Sequence, residues 1–318
     1  MLEKIILFNL SSNPDLTKKI AGHLKLPIGQ VELMHFADGE IMARSLDSVR
    51  GKSVYIIQST CSPASERLME LLVFIDGIKK ANAKDINVVI PYYGYSRQDR
   101  IARPREPISA RLVADLLQTV GVSHLITIDL HTPQIQGFFS CPVDNLSTIH
   151  LFAAYYLKKL KQIKVDTSEI VVVSPDHGSA HRGRDLATAL PGSQLAIVDK
   201  RRPSPNEAEV VNIVGDVEGK TCIIIDDIID TGGTIIASAK ELYAKGANDI
   251  LIAASHGVFS RDNIDSLKAT GISDIVITDS IEKNIQGVNV ISVSEVLAQV
   301  ITHNESGTSL PPEYLAFY

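Results

Sequence analysis

The chain has 318 residues, of which 45% are hydrophobic and 21% charged, with a formal net charge of −6. That length suggests about two domains, with enough apolar side chains for a sizeable core, which excludes global disorder. The acidic balance argues against a nucleic-acid partner, and no apolar run approaches the ~18 residues of a membrane helix.

In chain order, the apolar run IILFNL (5–10) reads as a first strand, because no small-residue cleavage site follows it. Further strand signals are VYIIQ (54–58), INVVIP (86–91), HLITID (124–129), EIVVVS (169–174), LAIVD (195–199), CIIID (222–226), ILIAAS (250–255) and DIVITD (274–279). Helical patterns lie between many of them, such as 65–81 and 233–246, and SEVLAQVITH (294–303) is a last amphipathic helix. Near-continuous apolar strands separated by helices predict an α/β fold, with a parallel sheet covered on both faces. Cys61, Cys141 and Cys222 are odd in number and far apart. They read as small buried hydrophobes in a reducing cytoplasm, not as a disulfide framework.

The chain also repeats itself. GVSHLITID (121–129) matches GISDIVITD (271–279), and PYYGYSRQD (91–99) echoes ASHGVFSRD (254–262). SVYIIQST with its helix and AKDINVVI parallels TCIIIDDI with its helix and ANDILIAA. The matches keep one order, which predicts two homologous domains at 1–145 and 146–290. The tail, 291–318, is expected to return to the first domain. Where the second copy carries Asp226-Asp227 and a glycine pair, the first carries Gln58-Ser59-Thr60-Cys61-Ser62-Pro63. One copy therefore reads as a site, and the other as reassigned.

The strongest chemical signal is IIIDDIIDTGGT, 223–234. An apolar strand ends in Asp226 and Asp227, and a short turn leads through Asp230, Thr231, Gly232, Gly233 and Thr234 into a helix. The glycines allow close approach of a ligand to the backbone. The helix start offers N–H groups to a phosphate, and the paired acids suit sugar hydroxyls. A capped helix alone would explain Asp230 or Thr231 but not two acids at a buried strand end. The motif is a mould for ribose 5-phosphate. It resembles the phosphoribosyl-diphosphate signature of type I phosphoribosyltransferases, which leaves open transferases that consume phosphoribosyl diphosphate and the synthetase that makes it.

A P-loop reading of GDVEGKT (215–221) fails, because the glycine spacing is one residue short and Lys220-Thr221 leads into a strand. Lys200, Arg201 and Arg202 follow a strand, on the sheet edge where such folds bind ligands. Three cations there suit charge neutralisation in phosphoryl transfer. HFADGEI (35–41), PYYGYSRQDR (91–100), DLHTPQIQGFF (129–139) and SPDHGS (174–179) complete an ordered set. Over residues 4–300 this set resembles ribose-phosphate diphosphokinase, the phosphoribosyl-diphosphate synthetase family of the bacterial-like class.

The resemblance implies two tandem type I phosphoribosyltransferase-like domains, each a mostly parallel sheet flanked by helices. It implies transfer of the β,γ-diphosphoryl group of Mg-ATP to the C1 hydroxyl of ribose 5-phosphate, releasing AMP. It assigns catalysis to Lys200 and Arg202. It assigns ATP contacts to Phe36, Asp38, Gly39, Glu40, Arg97 and Gln98. Ribose 5-phosphate falls to Arg202, Asp226, Asp227 and Asp230–Thr234, and Mg²⁺ to His131 and Asp176. It further implies a cytoplasmic homohexamer whose ATP site is shared between subunits. Ser179 departs from the family's second glycine, and Pro104 from its serine. A non-catalytic synthetase-associated subunit and a base phosphoribosyltransferase are the alternatives. Intact Lys200, Arg202 and His131 argue against the first, and the duplication against the second.

Overall fold

A computed structural model describes residues 4–204, 207–261 and 264–316, and the side chains at 200–211 lie outside the described set. The chain divides into two compact units. The first runs to Ser147 and regains Asp279–Glu282 and everything from Ser292, and the second is Thr148–Thr278 with Lys283–Ile291.

In the first unit the strands are β1 (Ile5–Asn9), β2 (Ile28–Gly29), β3 (Val31–His35), β4 (Ile41–Ser45), β5 (Ser53–Ile57), β6 (Asp85–Ile90), β7 (His124–Ile128) and β8 (Val143–Leu146). Six of them form one sheet in the order β2-β1-β5-β6-β7-β8, with every pair parallel. β3 and β4 stand apart as an antiparallel hairpin. The helices are α1 (Pro14–Leu24), α2 (Ala64–Lys80) and α3 (Ser109–Val120). β5 is buried at every position, so both sheet faces are covered. α2 turns Leu68, Leu71, Leu72, Ile75 and Ile78 inward, a helical period of apolar residues. They join Phe8, Val54, Ile56 and Val88 in one core. α3 stops at Gly121, whose φ of 112° suits a residue without a side chain.

The second unit contains α4 (Ile149–Ile163), β9 (Ile170–Ser174), α5 (Ala180–Ala189), β10 (Gln194–Ser204), β11 (Glu207–Val214), β12 (Thr221–Ile229), α6 (Gly233–Ala244), β13 (Asp249–Gly257), α7 (Ile264–Lys268), β14 (Asp274–Thr278) and β15 (Asn289–Ile291). Its sheet order is β11-β10-β9-β12-β13-β14-β15. β10 and β11 pair antiparallel and the other neighbours are parallel. Registers carry the internal repeat into three dimensions. Ile5 pairs Ser53 as Ile170 pairs Thr221, and Ser53 pairs Asp85 as Thr221 pairs Asp249. Gln58 and Ser59 thus occupy the places of Asp226 and Asp227.

Three readings are corrected or sharpened. Asp279–Glu282, expected in the second domain, belongs to the first unit. There Asp279 accepts from the Val293 amide (2.8 Å) and pairs with Lys19 (2.8 Å), and the Ser280 carbonyl accepts from Asn13 (3.1 Å). The last helix, α8 (Ser294–Ser306), packs on α1. Lys200–Pro203, expected beyond a strand, continue β10 and pair back on β11. The ladder breaks at Asp199/Lys200 and again across Pro203, which has no N–H to give it. Cys61 and Cys222 are buried, but Cys141 is only half-buried, and none of the three is in a disulfide. Burial pushes Cys222 up to about 12, which makes it inert. GDVEGKT is the turn into β12, and Lys220 donates to the Ser168 carbonyl (3.2 Å). Among the described residues no helix is long and apolar enough to cross a membrane.

Gly94 gives a direct test of the first unit's strand ends. A Cβ there would lie 2.2 Å from the Thr60 carbonyl oxygen. The Gly94 amide already donates to the Thr60 hydroxyl at 2.6 Å, so the loop cannot back away. Gly94→Ala should cost about 2 kcal/mol, lowering the thermal midpoint by roughly 4–8 °C. A midpoint equal to wild type would show that this contact does not hold the loop.

Candidate active site

In each unit the chain lays one strand to one side of its first strand, then crosses to the other side. The reversal places a switch point between β1 and β5, and another between β9 and β12. Open α/β sheets bind ligands beyond the carboxyl ends of strands at such points.

At the second switch point, β12 delivers Asp226 and Asp227 next to the turn that leaves β9. The Ser179 hydroxyl donates to Asp226 Oδ1 at 3.0 Å, and the Asp227 amide donates to the same oxygen at 2.9 Å. The Ser179 amide donates to Asp176 Oδ1 at 2.9 Å. Ser179 thus ties Asp176 to Asp226, with its amide and its hydroxyl both engaged. Asp227 is 3% exposed, and Arg182 Nη1 lies 3.9 Å from its Oδ1. Burial pushes the Asp226 carboxyl well above the usual carboxylate range, and the charge of Asp227 adds to it. Asp176 pushes the same way and Arg182 opposes it.

Beyond the acids, the chain turns through Asp230, whose carboxylate accepts from the Ser260 amide (3.2 Å). Gly232 has φ 73° and precedes α6 without a side-chain cap, and the helix's ladder starts at the Ile236 amide. Thr231 and Gly233 are exposed there. A left-handed glycine before an uncapped helix start is the geometry of an anion cradle. The motif 226–234 therefore runs from acids at one end to backbone donors at the other, with Asp227 and Gly232 buried and Thr231 and Gly233 exposed. Lys200 and Arg202 lie on β10, and their side chains lie outside the described residues.

The first unit holds the other candidates. Phe36, Asp38, Gly39 and Glu40 form the tip of the β3–β4 hairpin. Phe36 is 46% exposed, and Gly39 turns with φ 93°. The Asp38 carboxylate accepts from the Glu40 amide at 3.1 Å. Arg97 and Gln98 stand exposed on the loop after β6, where Ser109 donates to Gln98 Oε1 at 2.6 Å. His131 follows β7, half-buried. A Thr132–Asp99 hydrogen bond of 2.7 Å ties its loop to that of Arg97 and Gln98.

The first switch point is closed. Gln58 Oε1 accepts from the Ser12 amide (3.0 Å), and the Ser59 amide donates to the Ser12 hydroxyl (2.7 Å) and to Asn13 (2.9 Å). The Ser59 hydroxyl donates to the Ser280 carbonyl at 2.6 Å. All these side chains are buried. Sequence reasoning missed Arg182 and the hydroxyl role of Ser179. Arg182 lies three residues past Ser179, but only the packing of α5 beside β12 brings it to Asp227.

Two family profiles, curated relatives and a solved structure match the chain. Residues 5–121 match the family profile described as the N-terminal domain of ribose phosphate pyrophosphokinase. Residues 166–311 match that of the phosphoribosyl synthetase-associated domain. The chain is 48% identical over 308 residues to a ribose-phosphate pyrophosphokinase of Caldanaerobacter subterraneus, covering 96% of each chain. It is 49% identical over 300 residues to that of Bacillus caldolyticus, covering 93% of each. Among solved structures, phosphoribosylpyrophosphate synthetase from Mycobacterium smegmatis superposes with a TM-score of 0.88 at 38% identity, covering 96% of this chain and 99% of that one.

The acid pair has a sign-definite consequence. A carboxyl whose folded value is raised binds its proton more tightly when folded, so stability falls as pH rises through that value. Asp226→Asn keeps the acceptor and removes the charge. It should raise the thermal midpoint at pH 8 by about 2–4 °C, roughly 1 kcal/mol, with the gap narrowing as pH falls. An unchanged or lower midpoint at pH 8 would show that Asp226 ionises without cost.

Proposed function

The chain belongs to the ribose-phosphate pyrophosphokinase family, and from that premise we propose how its residues divide the work of making phosphoribosyl diphosphate. The enzyme transfers the β,γ-diphosphoryl group of ATP to the C1 hydroxyl of ribose 5-phosphate, giving 5-phosphoribosyl 1-diphosphate and AMP. The observation that carries the assignment is the acid pair Asp226–Asp227, continuous with the uncapped loop 230–234 at an open switch point.

The loop donors of Thr231–Thr234 hold the 5-phosphate, with Asp230 fixing the turn. Asp226 and Asp227 accept from the ribose hydroxyls and so orient C1. Ribose hydroxyls donate well to carboxylates, and Ser179 and Arg182 hold that pair in place before the sugar arrives. Phe36 offers an exposed aromatic face to the adenine, while Asp38, Gly39 and Glu40 supply acceptors and a tight turn around the nucleoside. Arg97 and Gln98 bind the phosphate chain. Lys200 and Arg202, on the β10–β11 ribbon, neutralise the charge that grows as the diphosphoryl group passes between oxygens.

Mg²⁺ fits Asp176 as donor, since a carboxylate is a hard ligand with one oxygen engaged by Ser179. The resemblance assigns the ion to His131 as well, which would offer a single softer nitrogen. When bound, the ion would supply charge neutralisation on the phosphates. The family resemblance extends to a cytoplasmic homohexamer with the ATP site shared between subunits, and free thiols suit that compartment.

The test is the nucleotide released when the protein meets ribose 5-phosphate, Mg²⁺ and ATP. AMP should appear in equal amount with phosphoribosyl diphosphate, and ADP would contradict diphosphoryl transfer. Lys200→Ala should lower turnover by on the order of 10²–10³ with an unchanged thermal midpoint. Near-normal turnover would remove Lys200 from catalysis.

A further inference from the structure

His35 ends β3, immediately before the hairpin tip, and its ring faces the first turns of α2. Its Nε2 lies 3.4 Å from Glu66 Oε1 and 3.5 Å from Glu70 Oε1. Glu66 and Glu70 are four residues apart on one helix face. The three ligand atoms lie within 4.8 Å of one another.

These separations exceed good hydrogen bonds, which run to about 3.2 Å. They match the edge of a tetrahedron around a metal with bonds of about 2.1 Å, which is roughly 3.4 Å. Glu70 supplies an independent observation. It is fully buried, and its Oε1 has no hydrogen-bond partner. An orphaned buried carboxylate oxygen is costly and rare in a folded chain. Its other oxygen is held by the Ser11 hydroxyl and by Gln58 Nε2 at 2.7 Å, so Oε1 is fixed and aimed at His35. Arg67 Nη1 stands 3.9 Å from the held oxygen, Oε2. Two carboxylates and one guanidinium leave one net negative charge. His35 and Glu66 are exposed, which gives an ion a route in and leaves room for water as a fourth ligand.

We propose that His35, Glu66 and Glu70 form a site for a divalent transition cation of the zinc class, which clamps the β3–β4 hairpin to α2. Imidazole with two carboxylates suits Zn²⁺ or Co²⁺ better than Mg²⁺, which prefers oxygen ligands in an octahedron. The site lies outside the acid pair of the second unit and uses none of the residues assigned to ribose 5-phosphate. Its effect on the enzyme rests on the reading above. The clamp would hold the tip Phe36–Glu40, so the bound ion should lower KM for ATP and leave KM for ribose 5-phosphate unchanged.

The test uses Co²⁺ as the probe, on the full chain in excess Mg²⁺. Wild type should bind one Co²⁺ with the intense visible bands of low-coordinate cobalt, displaced by Zn²⁺, and its thermal midpoint should rise on binding. His35→Ala and Glu66→Gln should each weaken binding on the order of 100-fold and abolish the bands, with metal-free midpoints equal to wild type. Bands of equal strength in both variants, or absent from wild type, would overturn the site and leave an ion pair only. Cobalt bound as expected with no change in KM for ATP would keep the site and contradict the ATP assignment of the hairpin.

Discussion

Asp226 and Asp227 are adjacent carboxylates in the last half of β12, and the five strand residues before them are buried. Like charges in that position repel and are poorly hydrated, so the surroundings must supply donors. Ser179 and the backbone supply hydrogen bonds, and Arg182 supplies charge. These partners come from the turn after β9 and from α5, because β9 is the strand beside β12. The strand order therefore decides which side chains can offset the acid pair. On the proposed assignment, a sugar with two adjacent hydroxyls would complete the same set, and a pair already held in place suits catalysis.

The first unit shows the same architecture with that constraint removed. Gln58 and Ser59 stand where the acids stand in the second unit. They spend their hydrogen bonds on Ser12, Asn13, the Glu70 carboxylate and the Ser280 carbonyl. The carbonyl comes from a segment that returns from the second half of the sequence. A neutral, saturated strand end has nothing left to offer a sugar phosphate. It can be rigid, and a rigid base suits loops that present Arg97, Gln98 and His131. On the proposed assignment, the duplication separates one fold into a binding copy and a supporting copy.

Much of this was legible in the sequence. Buried parallel strands announce themselves as β-branched runs, and the acid pair with its glycines is contiguous, so the turn from β12 into α6 shows in one stretch of sequence. The repeat between the halves was visible because the strands must keep their registers. What stayed hidden depends on contacts distant in sequence. The return of Asp279–Glu282 to the first unit is set by hydrogen bonds to Asn13 and Ser59, which no local pattern encodes. The extension of β10 through Pro203 reads locally as a loop, and only pairing with β11 makes it a strand. Arg182 carries no sequence signal of its own, and only the packing of α5 beside β12 brings it to Asp227.

The central claim is that one switch point is open to a sugar phosphate and the other is sealed. Calorimetric titration of the full chain with ribose 5-phosphate tests it most directly. The account predicts one molecule per chain, with binding lost when Asp226 and Asp227 are both changed to Asn. Two molecules per chain, or one that survives loss of both acids, would contradict it.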